Sequence, residues 1–244
     1  PDGRLEISLF PASALDAVIF RGFSAYALMN VGVDESGARG RQAAFYDRRD
    51  PDGGVSVILG AGNVSSIPPM DVAAKMFIGG YVCVLKMNPV NEWVGPFLER
   101  ALHPLVSRGY VRIVYGGADL GSYLAYHPLV NDIHITGSDR THDLIVFGPP
   151  GPERERRLRE HDPLLRIPIS SELGNVSPVA VVPYDYSEKE LWFMSRNIVS
   201  MVVNNGSFNC NAAKMLVTPT GWTQRDRFLD LVATEPAIAR DPVM

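Results

Sequence analysis

From Val55 onward, short apolar runs alternate with segments of helical periodicity, and nothing else in the sequence restricts the fold as much. The apolar runs are Val55 to Leu59, Val82 to Leu85, Val111 to Val114 and Asp132 to Ile135; the helical segments are Met70 to Ile78, Val94 to Val106, Leu120 to Tyr126 and Asp143 to Phe147. Strands that are apolar along their whole length must be covered on both faces, and right-handed βαβ crossovers supply that cover. The pattern predicts an α/β fold with a doubly wound parallel sheet, best defined over residues 55–150. In such sheets ligands collect beyond the carboxyl ends of the strands. The site is therefore expected on Gly60 to Ser66, Lys86 to Asn91, Gly116 to Asp119 and Thr136 to Arg140. Glycine, serine and asparagine dominate these segments, as close backbone approach to a ligand favours.

The flanking sequence is less regular. Residues 1–54 hold β-like stretches near Leu5 to Phe10 and Ala25 to Met29, a polar break at Asp34-Glu35-Ser36-Gly37, and no motif. After the break at Pro149-Pro150-Gly151-Pro152, the densely charged Glu153 to His161 reads as a solvated connector or short exposed helix. Val179 to Val182 and Lys214 to Thr218 read as strands, Glu188 to Val203 as a long helix with Leu191, Met194 and Ile198 on one face, and Gly221 to Val232 as a final helix. Trp192 and Trp222 fall on helical patterns as core or interface residues.

Charge and composition narrow the function classes. A net charge of −4, from 23 basic and 27 acidic residues interspersed, provides no broad positive field for nucleic acid or a membrane surface. No apolar run approaches the roughly 20 residues of a spanning helix, and no signal-peptide order opens the chain, so a cytoplasmic address is expected. The five histidines, at 103, 127, 134, 142 and 161, show no ligand spacing with cysteine or carboxylate, and no metal is expected. The two cysteines differ in setting: Cys83 lies in the apolar Tyr81-Val82-Cys83-Val84-Leu85, whereas Cys210 ends the polar Asn204-Asn205-Gly206-Ser207-Phe208-Asn209. The first reads as a small core hydrophobe, and the second sits where a reactive thiol could be.

Four short motifs follow one another along the chain: Gly62-Asn63-Val64, Lys86-Met87-Asn88-Pro89, Ile135-Thr136-Gly137-Ser138, and Glu172-Leu173-Gly174-Asn175-Val176-Ser177-Pro178 followed by Phe208-Asn209-Cys210. In this order and spacing, from about Val55 to Thr218, the sequence resembles the aldehyde dehydrogenase superfamily. The resemblance implies a Rossmann-like cofactor domain over residues 1–170, with 1–54 unassigned, followed by the start of an α/β catalytic domain over 171–244. It also implies NAD or NADP as cofactor, a small-molecule aldehyde as substrate and a homo-oligomer. Family members continue well past the cysteine, so the chain is expected to be incomplete.

By the same resemblance Cys210 is the nucleophile, Glu172 the general base for water, and Asn63 a side-chain donor to the tetrahedral oxyanion. A thiolate must attack the carbonyl, hydride departure leaves a thioester, and a carboxylate must then deprotonate water. Lys86 matches the lysine that holds the adenosine ribose, with Asn88 in the same motif; Gly137 and Ser138 match the pyrophosphate segment at a helix start, and Gly174 of the Glu-Leu-Gly motif is expected with these four among the cofactor-binding residues. Several positions depart from the family pattern. Pro89 replaces an acidic residue common in NAD-preferring members, which leaves NADP open, and Asp139 and His142 alter the phosphate segment. Gly60-Ala61-Gly62, Asn175 and Ser207-Phe208-Asn209 also diverge. Two rivals follow: a CoA-acylating enzyme using the same cysteine, against which Glu172 argues, and a degenerate relative that keeps the fold without turnover.

Overall fold

The computed structural model describes residues 3–42 and 44–238, so residues 239–244 of the expected catalytic domain, and residues 1, 2 and 43 of the unassigned segment, lie outside the described residues. The chain separates into two compact units, Pro1–Asp52 and Gly53–Met244.

In the first unit, strands β1 (Glu6–Phe10) and β2 (Ala25–Leu28) pair antiparallel, joined through helix α1 (Ala14–Ile19). The polar break in the sequence is the start of α2 (Glu35–Arg39), where the Asp34 carboxylate accepts the Gly37 N–H at 2.7 Å. A side-chain acceptor at this position satisfies an amide that the helix itself leaves unpaired.

The second unit is built on a five-stranded, wholly parallel sheet. Its elements are β3 (Gly54–Leu59), α3 (Ile67–Phe77), β4 (Tyr81–Lys86), α4 (Gly95–Ala101), α5 (His103–Val106), β5 (Val111–Val114), α6 (Ala118–Ala125), β6 (Asp132–Gly137), α7 (Asp139–Phe147), α8 (Pro152–Glu160) and β7 (Ile169–Leu173). The spatial order β5-β4-β3-β6-β7 means that the chain winds outward from β3 in one direction and then returns to start again beside it. The doubly wound expectation therefore holds, and the topological switch lies between β3 and β6. Alternation along β3 accounts for its largely apolar sequence, in which the one polar residue, Ser56, is buried and donates to Asp132 at 2.6 Å. Val57 and Leu59 enter one core with Ile133, Ile135 and Val146, while Ile58 enters the other with Val72, Cys83, Leu85 and Val111. Each fully buried aliphatic side chain of this kind contributes roughly 1.5–3 kcal/mol.

Two local differences from the sequence reading, and the choice of a helix over a connector after Pro152, have physical causes. The segment read as one helix over Val94 to Val106 is interrupted at Leu102 (φ −94°, ψ 15°), because Pro104 has no N–H to continue the ladder and is placed in the first turn of α5 instead. Strand β7, Ile-Ser-Ser-Glu-Leu, had no apolar run to announce it, since it is an edge strand with polar residues on one face. The charged segment after Pro152 is a helix, α8, held by Arg156 and Arg157 pairing with Glu153, Glu160 and Asp162.

Beyond β7 the chain forms a smaller α/β arrangement. Strands β8 (Pro178–Ala180) and β9 (Met215–Val217) are parallel, connected through the long helix α9 (Glu188–Val203) and followed by α10 (Arg225–Ile238). Leu191, Ile198, Trp222 and Phe228 form its core, so Trp222 is buried as read, whereas Trp192 lies largely exposed under the Arg196 guanidinium. A capping box between Ser187 and Glu190 fixes the start of α9.

Candidate active site and cofactor cavity

The carboxyl ends of β3, β4 and β6 surround a cavity of about 300 Å³ at the topological switch. Leu59, Ile135 and Leu144 supply apolar wall, and Lys86, Asn88 and Ser138 supply polar groups. Lys86 is the last residue of β4, is only 8% exposed and lines the cavity. Burial lowers its pKa, an effect opposed by the negative charges of Asp119 and Glu92. Asn88 packs directly on Gly62: a Cβ there would lie 2.8 Å from the Asn88 amide, so Gly62 is required for close approach rather than for flexibility. The Asn88 Oδ1 in turn accepts the Val90 N–H at 3.0 Å and fixes the turn after β4.

A second cavity, of about 480 Å³, shares Asn88, Thr136, Gly137 and Ser138 with the first. Its other walls include Asn63, Glu172, Gly174 and Cys210, so three segments far apart in sequence converge there. Of the residues singled out from sequence, Cys210, Glu172, Asn63 and Gly174 line this second cavity alone, Lys86 lines the first alone, and Asn88, Gly137 and Ser138 line both. Gly174 thus stands with the cysteine rather than beside the lysine.

Cys210 is exposed on a loop whose backbone is unusual. Asn205, Gly206 and Ser207 are successive left-handed residues (φ 50°, 59° and 66°), a conformation that Gly206 adopts freely and Asn205 more readily than most side chains, but Ser207 only at a cost. Several contacts hold the segment. Asn63 Nδ2 donates to the Phe208 carbonyl at 2.8 Å, Ser177 Oγ donates to the Cys210 carbonyl at 3.3 Å, and Lys214 Nζ donates to the Asn209 and Ala212 carbonyls at 3.2 and 3.0 Å. A carboxamide nitrogen carries two hydrogens, so Asn63 can anchor the loop with one and direct the other at a ligand. Glu172 enters from β7, opposite Thr136 of β6 in the strand register.

At the start of α7, Ser138 caps the helix by accepting the Thr141 N–H at 3.2 Å, and Asp139 turns its carboxylate back to accept the Arg140 N–H at 2.8 Å. The negative charge at Asp139 therefore sits on the helix N-terminus, where it interacts favourably with the helix dipole.

Sequence reasoning did not identify Lys214, and it gave no role to Ser177 or Thr136 although both lie in its motifs; all three touch the cysteine loop or the cavities. It also missed a polar cluster on the same sheet face as Glu172. Thr136 Oγ1 donates to Asp71 at 3.1 Å, His134 lies 3.5 Å from Asp71 and 2.9 Å from Ser170 Oγ, and Asp132 pairs with Lys75 at 2.7 Å. The one sequence signal was the every-other-residue polarity of Asp132, His134 and Thr136 in an otherwise apolar strand. Among the described residues, no group of three or more His, Cys, Asp or Glu could hold a metal ion, and no helix is long and apolar enough to cross a membrane.

No family model matches the sequence. The N-succinylglutamate 5-semialdehyde dehydrogenase of Sphingopyxis alaskensis is 35% identical over 106 residues, which is 43% of this chain and 21% of that protein. Among solved structures, a putative aldehyde dehydrogenase from Burkholderia cenocepacia superposes with a TM-score of 0.57 at 25% identity, covering 75% of this chain and 35% of the other. The NADP-dependent glyceraldehyde-3-phosphate dehydrogenase of Bacillus halodurans, complexed with NADP, superposes with a TM-score of 0.56 at 22% identity, covering 73% and 34%. The chain thus spans about a fifth of the curated relative and about a third of the solved ones. Over that part of their length, the doubly wound sheet and the sequence of this chain are similar to those of aldehyde dehydrogenases.

Proposed function

We propose that this chain carries the cofactor site and the cysteine site of an NAD(P)-linked aldehyde dehydrogenase that releases a carboxylic acid. The observation that supports it most is the meeting of Cys210, Glu172 and Asn63 in one cavity that shares walls with the Lys86 cavity. The residues present fit a dinucleotide. Gly60, where a Cβ would come 3.2 Å from Leu85 and 3.3 Å from the Lys86 carbonyl, leaves an apolar slot at the switch point, with one cation and amide groups at its rim. In this reading residues up to about 170 hold the cofactor, with Lys86 and Asn88 on the ribose side and Gly137 and Ser138 on the phosphate side. Residues 171–244 contribute the start of the catalytic domain.

The thiolate of Cys210 attacks the aldehyde carbon: an S–C bond forms and the carbonyl pair moves to oxygen. Asn63 and the Cys210 backbone N–H donate to that oxyanion, a type of contact commonly contributing about 3 kcal/mol per donor. When bound, the nicotinamide accepts the hydride. The carbonyl re-forms as a thioester on Cys210, Glu172 takes a proton from water as the water oxygen adds, and the thiolate leaves. Glu172, exposed to the second cavity and unburdened by any ion pair among the described residues, is placed to serve as that base.

The test is to assay the protein and its Cys210→Ala variant with NAD, NADP and a panel of aldehydes. Loss of dehydrogenase and esterase activity in the variant, with cofactor affinity within about two- to threefold of the parent, is expected because the thiol forms the covalent bond but makes no adenosine contact. An active alanine variant would refute the mechanism.

A further inference from the structure

Resting on the mechanism proposed above, we infer that Lys214 is a positioning residue for the backbone oxyanion donor: its ammonium fixes the peptide plane between Asn209 and Cys210 and so aims the Cys210 N–H. A peptide unit is planar and trans, so its C=O and N–H point in opposite directions, and holding one sets the other. Lys214 Nζ donates to the Asn209 carbonyl at 3.2 Å and to the Ala212 carbonyl at 3.0 Å, spanning the segment that contains Cys210. The Asn209 carbonyl also accepts the Ala212 N–H at 3.1 Å, so both its lone pairs are engaged. Among the described residues no acceptor pairs with the Cys210 N–H on the other side of that plane, which leaves it to donate to a ligand.

The lysine is itself anchored. It directly precedes β9, its own N–H donates to the Val176 carbonyl at 3.0 Å, and the Ala213 N–H before it donates to the Met201 carbonyl of α9 at 3.2 Å. The neighbouring peptide planes are held in the same way, by Asn63 on the Phe208 carbonyl and Ser177 on the Cys210 carbonyl. Three consecutive carbonyls, those of Phe208, Asn209 and Cys210, thus accept from three side chains of separate segments. Of these three donors only Lys214 is charged. A charge-assisted bond to a carbonyl polarises the whole amide and makes its N–H a stronger donor. Among the described residues, Lys214 is also the one lysine or arginine that lines the second cavity.

Two reactions of the same thiol separate this role from simple support of the loop. Hydrolysis of p-nitrophenyl acetate needs no cofactor and passes through an oxyanion as Cys210 is acylated, whereas alkylation by iodoacetamide displaces iodide and forms none. Both consume the same thiolate, so the ratio of acylation to alkylation at one pH cancels any change in thiol ionisation or exposure. Lys214→Met should lower that ratio by about tenfold, a fraction of the roughly hundred- to thousandfold that loss of a whole donor costs. Lys214→Gln, which keeps a neutral donor, should lower it less, and Lys214→Arg, which keeps the charge and can donate to both carbonyls, should restore it. Thermal unfolding shows whether the methionine variant folds; if it does not, the glutamine and arginine variants make the same comparison. An unchanged ratio, whether both rates hold or both fall together, would overturn the inference while leaving Cys210 as nucleophile. A parent protein that neither hydrolyses the ester nor oxidises any aldehyde would instead strike the mechanism itself, and the inference with it.

Discussion

The chain has two cysteines in opposite environments. Cys83 is in the second parallel strand from the sheet edge, 2% exposed, packed among Ile58, Val72, Leu85 and Val111, with regular strand backbone on either side. Burial pushes its pKa up to about 12, with Asp132 adding to the shift, so it is a neutral thiol at any physiological pH. Cys210 is exposed on a loop with three successive left-handed residues before it, held through backbone carbonyls by Asn63, Ser177 and Lys214. The same side chain is packed for volume in one region and left exposed beside a cavity in the other. The comparison teaches that the sheet supplies rigidity and the segments beyond its carboxyl ends line the cavities: Cys83 belongs to the scaffold that carries Lys86 and Asn63 to them.

Several substitutions can break or sharpen this contrast. Asn63→Ala should have the largest effect, lowering kcat/KM by about a hundredfold, because it removes an oxyanion donor and the tie to Phe208 together. Comparison of turnover with the rate of Cys210 alkylation separates the two losses, since only the tie affects loop order. Lys86→Ala should come next, raising the apparent KM for the cofactor by about tenfold or more while changing aldehyde saturation little, as expected for loss of charge-assisted hydrogen bonds that act on binding. Unchanged cofactor titration would mean that its ammonium contacts only solvent. Cys83→Ala should have the smallest effect, leaving turnover intact and costing about 1 kcal/mol in denaturant unfolding. Cys83 also gives a pH signature. Between pH 9.0, the ordinary thiol value, and about 12, the unfolded chain releases the thiol proton while the native chain keeps it, so stability falls as pH rises. The alanine variant should lose that part of the slope, and iodoacetamide should label Cys210 long before Cys83 in the native protein.

How much of this was legible in the sequence follows from where each signal resides. Strand β3 was readable because burial on both faces leaves it largely apolar, as in Val55 to Leu59, where only Ser56 is polar. Edge strand β7 was not, since Ser170, Ser171 and Glu172 need no apolar neighbour on an open face. The break at Leu102 was missed because helical periodicity continues across it and only Pro104 marks the interruption. Motif order brought Cys210, Glu172 and Asn63 to attention, but Lys214 reaches the cysteine loop through side-chain contacts that no local pattern records.

The pairing of an exposed thiol with a separate carboxylate is most directly tested in Glu172→Gln, which keeps the shape of the side chain but cannot take a proton from water. Rapid mixing of this variant with aldehyde and cofactor should give one burst of reduced cofactor and then a strongly slowed steady state, with an acyl adduct found by mass spectrometry on the peptide that contains Cys210. Restoration of turnover by added CoA, in the parent and the variant alike, would transfer the acceptor role from water to CoA. A variant that turns over at the parent rate without CoA, or an adduct found on Cys83 in place of Cys210, would contradict the account.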